Sequence, residues 1–506
     1  MKNKTIAVGI GYVNLVFHNI ISFILTPLML LVWGGADFGI YKLLLAFMSY
    51  LMFVDVGVRN TIVRFNTEYI ANNDKDGERG YISFLSIFYF AVSILVFLIS
   101  IILILVIPNI YKNSLSVEEI NSLIKTLPVV AVFAGVTLFH NGAVAIFKAH
   151  RKQVLVHIVD FLKNLVRFLV VFILLKKSYG IYEIVLVDTI IAFSFLVVLV
   201  LVIFLKLKII PKMRNITKEM IKKVFTFTSV MFIHTLAFSL FWSLDSLILS
   251  ILTSATIVGV YALSTTISNL FQSFSNILSQ VIIPDIMLLG HKQTEQKLLN
   301  EEMIKIGTLK ILWLGLPSLG FVVFGMHFIK LWVGSEFRIV YWLVLIVLLP
   351  QIFSLIQDVP SSIMYVKNKH KPLAYFSIIA TVINLFITIV LVKAIGIIGA
   401  AIGTAFAFIA VYVIFTSIYY QRKLGFDMIG FYKKAIIKKI PLFLIAFGIG
   451  FLINYMLDGG WLYLILKIII FTVIYFVLVF LLGLDKNIKL KILSLFVKKT
   501  EENSVE

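Results

Sequence analysis

Apolar residues in this chain gather into long runs, each closed by a short polar or basic connection. The runs have the length of helices, not of strands. Crossing a hydrocarbon core about 30 Å thick takes roughly 20 apolar residues of helix. Stretches of that size fill the sequence almost end to end, at 6–33, 38–58, 81–107, 125–147, 154–175, 179–205, 224–252, 256–283, 304–329, 339–365, 373–394, 397–420, 438–457 and 461–483. Backbone groups in lipid must be satisfied internally, and these runs are far too long for barrel strands. The pattern predicts an all-α polytopic membrane protein with about fourteen transmembrane helices. Pro108, Pro211, Pro284 and Pro372 fall at or near run ends, where a missing N–H costs least. The first run follows Lys2 and Lys4, is too long for a secretory apolar core and ends at no small-residue cleavage site, so it reads as a retained helix.

Composition agrees. The 506 residues are 61% hydrophobic and only 14% charged, with a mean hydropathy of +1.05. No soluble domain could hide that much apolar surface. The absence of cysteine excludes disulfides, thiol catalysis and cysteine metal sites. Lys and Arg, assigned alternately to the connections, divide 33 to 7, with Lys42, Lys163, Arg167, Lys310 and Lys467 left inside runs. That asymmetry predicts two cytoplasmic termini. It also makes the net charge of +20 a matter of topology and of attraction to anionic membrane lipid. Nucleic acid is not an expected partner, because no connection is long enough to form a basic folded domain. Lys212→Cys and Arg422→Cys are expected to react with an impermeant maleimide only from the cytoplasmic side, and Ser114→Cys only from outside; external labelling at 212 overturns the assignment.

The chain also repeats itself. "KAHRKQVL" at 148–155 returns as "KNKHKPLA" at 367–374, Asn164 matches Asn384, and "YGIYE" from Tyr179 resembles "IGIIG" from Ile395. Gly39-Ile40-Tyr41 matches Gly259-Val260-Tyr261, and Phe17-His18 matches Ile233-His234. All five matches lie in one order at offsets of 216 to 220. A duplication of six spans accounts for them. An even number makes the copies parallel, with their axis along the membrane normal. The expected domains are an N-terminal six-helix lobe over 1–205, a basic cytoplasmic linker over 206–223, a C-terminal six-helix lobe over 224–420, helices 13 and 14 over 421–483, and a cytoplasmic tail over 484–506.

"DFGIYKLLLAFMSYLMFVDVGVRNTIVRF" at 37–65 resembles the second-helix region of bacterial polysaccharide and O-antigen flippases, lipid-linked oligosaccharide exporters of the multidrug, oligosaccharidyl-lipid and polysaccharide exporter superfamily. "WSLDSLILSILTSATIVGVYALSTTISNLF" at 242–271 is similar to the start of that family's second lobe. The resemblance implies two six-helix lobes around a central cavity. It also implies export of an undecaprenyl-diphosphate-linked oligosaccharide from the inner to the outer leaflet of the bacterial cytoplasmic membrane, for O-antigen or capsule biosynthesis. The lipid-linked oligosaccharide is then the cargo, with a polysaccharide polymerase and glycosyltransferases as further partners.

An interior that receives an anionic amphiphile should carry ionisable groups within spans, where each costs about 2.5–3.5 kcal/mol at mid-helix. Asp160, Lys163, Asn164 and Arg167 share one face of the fifth span. The bland reading of the first two is an i,i+3 pair with Lys163 snorkelling. Arg167 lies about 18 Å into its helix at 1.5 Å per residue, so it must face protein or water. It either contacts the cargo's diphosphate or pairs with a neighbouring acid, Asp188 being the candidate. Lys42, Asp188 and Asp245 complete the expected lumen set. His18 and His234, at matching repeat depths, are either packing residues or coupling sites for H+. No resident cofactor or metal is expected; the coupling ion, H+ or Na+, stays open. Asp55 and Arg59 read as an i,i+4 pair, and Lys467 as a snorkelling lysine. No phosphate loop, paired-histidine motif or nucleophile elbow occurs, and the longest outer connection, 108–124, has only Glu118 and Glu119 as acids. An enzyme is therefore not expected. The competing reading is a cation-coupled multidrug exporter of the same superfamily, which should want acidic lumen residues where this chain mixes acids with Arg167 and Lys163.

Overall fold

The computed structural model of the protein describes residues 2–213, 216–291, 295–367, 371–457, 459–484 and 489. Among them all regular structure is helical, and no strand occurs. The helices are α1 (Lys2–Leu51), α2 (Phe53–Ala71), α3 (Lys75–Tyr111), α4 (Val117–Ala149), α5 (Gln153–Lys176) and α6 (Ile181–Val202). After the basic linker come α7 (Lys218–Leu252), α8 (Ala255–His291), α9 (Gln296–Trp332), α10 (Ile339–Leu355) and α11 (Asp358–Val366). The chain ends with α12 (Lys371–Ile395), α13 (Ile397–Ala407), α14 (Thr416–Leu424), α15 (Met428–Phe431), α16 (Ile440–Met456) and α17 (Trp461–Leu478). A π-helical stretch, Phe408–Phe415, carries α13 into α14.

Ten segments among the described residues are long and apolar enough to cross a membrane, and the protein is a multi-pass membrane protein. The expected spans that are not counted separately have visible causes. Span 6–33 and most of span 38–58 share α1, which turns at Gly34 with φ 74°, a left-handed conformation that suits glycine; the end of the second span lies in α2. The α5 helix carries Asp160, Lys163 and Arg167 together, too many charges for an apolar window. The α7 and α8 helices occupy 224–252 and 256–283, partly through residues whose side chains are not described.

Chain contacts define two compact units, one of Met1–Thr265 with Lys371–Ala407, the other of Thr266–His370 with Phe408–Glu506. Of the three boundaries, two fall within expected spans, in α8 and at the end of α13, and the third, between 370 and 371, falls in a connection. In the first unit, Val58, Ile62 and Phe65 of α2 pack with Tyr81, Leu85 and Tyr89 of α3 and with Ala134, Leu138 and Phe147 of α4. In the same unit α13 lies against α12 through Gly399 and Gly403, four apart. A Cβ at Gly403 would run into the Thr388 hydroxyl. Small residues at that spacing let helix backbones approach where lipid supplies no hydrophobic drive. The second leg of α1 meets α8 just as closely: a Cβ on Gly39 would collide with the Ala255 carbonyl, and one on Gly259 would sit 2.9 Å from the Gly35 carbonyl oxygen.

In the second unit the tenth span is broken. The α10 helix ends at Leu355 and α11 starts at Asp358, with Pro360 in its first turn. Proline has no N–H for the carbonyl four residues back, and its ring crowds that carbonyl, which favours the break here, although α9 and α10 accommodate Pro317 and Pro350 inside them.

Candidate functional site

The expected lumen residues divide into two clusters, both in the first unit. In the first, Arg167 of α5 grips Asp188 of α6 with both forks: Nε donates to Oδ1 at 2.7 Å and Nη2 to Oδ2 at 2.8 Å. Nη2 also reaches the Tyr41 hydroxyl, at 3.3 Å. The Asp188 side chain is 4% exposed and that of Arg167 is 30% exposed. The acid is thus the buried anchor and the guanidinium its outer face. Nη1 has no partner among the described residues, and planar forks of this kind are the donors best matched to phosphate oxygens.

One helical turn away, Lys163 lies 3.6 Å from Asp160 and 3.2 Å from Nε2 of His140 on α4, with Asp160 3.5 Å from the same nitrogen. The expected Asp160–Lys163 pair is therefore a triad. His140 is buried, and its Nδ1 has no hydrogen-bond partner among the described residues. These groups open on one cavity of about 100 Å³ lined by His140, Lys163, Arg167 and Asp188 with Phe133 and Thr137. Lys42 is half-buried, its ammonium 5.1 Å from the Phe38 ring centre. His18 is exposed, with Arg167 and Lys163 within electrostatic reach. Asn164 is half-buried and makes no hydrogen bond among the described residues. The His234 side chain lies outside the described residues.

Asp245 belongs to a different place. It is buried and takes no part in the Arg167 cavity. The Tyr261 hydroxyl donates to Oδ2 at 2.5 Å, joined by the Thr404 hydroxyl; Asn384 Nδ2 donates to Oδ1 at 3.2 Å, with the Thr388 hydroxyl at 3.3 Å. Neutral donors from α8, α12 and α13 thus satisfy a carboxylate of α7. The glycine contact between α12 and α13 is what brings Thr388 and Thr404 to one acid.

The two clusters correspond. Tyr41 serves the Arg167–Asp188 pair and Tyr261 serves Asp245, 220 residues on; Thr404 stands 216 residues after Asp188, on the offset of the "YGIYE" match.

Two expectations need correction. Asp55 makes no salt bridge with Arg59 among the described residues, though the guanidinium acts on it electrostatically; its oxygens accept from the Tyr89 hydroxyl at 2.9 Å and Asn141 Nδ2 at 2.7 Å, with α3 and α4 burying it. Lys467 does not snorkel. It is 1% exposed, and its ammonium reaches Asn454 Oδ1 at 2.9 Å and His327 Nδ1 at 3.1 Å, while His327 Nε2 donates to the Gly459 carbonyl at 2.7 Å. Sequence reasoning also passed over Tyr41, Asp358 and Ser279. Asp358 had one available signal, Pro360 two residues on, within an apolar run.

This is an all-helical membrane protein with partnered charges buried inside its spans. A sequence model described as "polysaccharide biosynthesis protein" matches residues 8–288, more than half of the chain, and the chain belongs to that family. It is 25% identical over 166 residues to a probable low-salt glycan biosynthesis flippase, Agl15, of Haloferax volcanii; the match covers 33% of this chain and 35% of that one, about a third of the relative's length. Its fold is similar to that of the lipid II flippase MurJ in an inward closed conformation, with a TM-score of 0.73 at 15% identity, over 92% of this chain and 97% of that one. An inward-facing multidrug resistance MATE family transporter of the MOP superfamily gives a TM-score of 0.60 at 14% identity, over 79% and 92%. These relatives are flippases and transporters, not enzymes.

Proposed function

We propose that the protein flips an undecaprenyl-diphosphate-linked oligosaccharide repeat unit from the inner to the outer leaflet of the cytoplasmic membrane by alternating access of its two lobes, supplying O-antigen or capsule biosynthesis. The observation that carries this reading is the cavity of the first unit. There the Arg167 guanidinium keeps an uncommitted Nη1 above a buried Asp188, beside Lys163. A buried acid fixes the fork in place, and a fixed fork is preorganised for diphosphate oxygens. His140 and Thr137 extend the polar lining. The family membership and the glycan-flippase relative support the same cargo class. H+ coupling is assigned to His18 and His234, and a polysaccharide polymerase and glycosyltransferases are the expected partners on either side of the step.

The MATE likeness favours a second reading, a cation-coupled multidrug exporter. Purified protein in proteoliposomes with a fluorescent undecaprenyl-diphosphate oligosaccharide, set beside ethidium efflux from cells, separates them. Translocation of the labelled lipid without ethidium efflux is expected; efflux without translocation overturns the proposal.

A further inference from the structure

The break in the tenth span carries a second buried ion pair. Lys310 of α9 is 1% exposed. Its ammonium donates to Asp358 Oδ2 at 2.6 Å, to Ser279 Oγ of α8 at 2.9 Å, and to the Leu355 carbonyl. The Ser279 hydroxyl in turn donates to Asp358 Oδ2 at 2.6 Å. Three ammonium protons thus meet three oxygens, one of each kind that binds a small cation: carboxylate, hydroxyl and helix-terminal carbonyl. The Leu355 oxygen is available because the chain after it leaves the helix, so its usual i+4 donor no longer lies on the axis. The cation stands at the negative end of α10 and the carboxylate at the positive end of α11, so both charges complement the half-helix dipoles. Broken helices create such sites inside membrane transporters because they expose carbonyls and dipole ends at depth.

We propose that the ammonium of Lys310 is a tethered cation filling a monovalent-cation site built by Ser279, Leu355 and Asp358, and that its removal opens the site to Na+ or a small alkylammonium ion. Lysine makes the site permanently occupied. The wild-type protein then needs no free cation to hold the two half-helices together. In Lys310→Ala the missing atoms amount to a propylammonium ion, and the Asp358 carboxylate is left as an uncompensated charge. The Asp358 side chain, 21% exposed, provides the route in.

The test is thermal unfolding of the purified full-length protein in Na+, ethylammonium or choline chloride at matched ionic strength. The readout is the excess response of Lys310→Ala over wild type. A ligand that binds only the folded state raises the midpoint saturably, here by about 2 °C or more for Na+ or ethylammonium over choline. Lys310→Ala/Asp358→Asn removes the ligand charge together with the cation. It should fold and show no excess. If the single variant cannot be purified in choline, its recovery with ethylammonium present is the expected result. An excess of zero in a folded single variant overturns the proposal, as does loss of single and double variants alike with no recovery in ethylammonium, or an equal excess in the double variant.

Discussion

Arg167→Ala abolishes lipid translocation in proteoliposomes and also lowers the amount of protein in the membrane. The second effect follows from the bidentate grip on Asp188. Removing one partner of a buried pair leaves the other as an unpaired charge, which costs about 3–5 kcal/mol, and Asp188 is the more buried of the two. Arg167→Ala/Asp188→Asn removes that penalty, so abundance should return to near the wild-type level. Translocation should not return, because the double variant still lacks the fork that meets the diphosphate. Arg167→Lys keeps the charge but gives up one of the two parallel bonds, and should recover only part of both properties. Immunoblots of membranes and single-turnover translocation separate the readings. Normal translocation by the double variant would show that Arg167 serves only to neutralise Asp188, and the cargo assignment of the cavity would fall.

The helices were legible in the sequence because the bilayer imposes one rule on every segment. Runs of roughly 20 apolar residues can only be helices there, and the expected runs fall on helices in the structure, the second divided between α1 and α2 and the tenth between α10 and α11. Of the short internal matches, the paired tyrosines Tyr41 and Tyr261 each bring a hydroxyl to a charged group, Arg167 and Asp245 respectively. Asp188 was legible as a candidate partner for Arg167, since an acid and a base at similar depth on consecutive spans have few alternatives. Partner choice across distant helices was not legible. Asp55 has Arg59 four residues away, yet takes Tyr89 and Asn141 because packing of α3 and α4 decides which face is buried. Lys467 lies close enough to its helix end to snorkel. Asn454 and His327, 13 and 140 residues away, supply acceptors that make burial cheaper than extension to the surface. Asp245 was legible as an intramembrane acid, but its surroundings depend on the Gly399–Gly403 contact, which sets how near Thr404 can come.

The same backbone proximity at the other glycine pair yields the last expected result: Gly39→Leu stops translocation. Gly39 and Gly259 occupy matching positions of the duplication, 220 residues apart, and in the structure they pack on each other. A Cβ at Gly39 meets backbone, the Ala255 carbonyl and Gly259 N at 3.1 Å, so no rotamer change can relieve it. The helices must separate, and every contact along α1 and α8 separates with them. A conformation destabilised by as little as about 1.4 kcal/mol is tenfold less populated. Leucine, with three further carbons beyond Cβ, should exceed that. The closed contact can be trapped as well as prevented. A Cβ built on Gly35 lies 4.0 Å from Thr256 Cβ, within the roughly 3.5–4.5 Å that a disulfide spans. Oxidised Gly35→Cys/Thr256→Cys should therefore cross-link efficiently and lose translocation, and dithiothreitol should restore it. Adding Gly39→Leu should cut the cross-link yield. Full translocation with the link verifiably formed would mean that α1 and α8 need not part during the cycle.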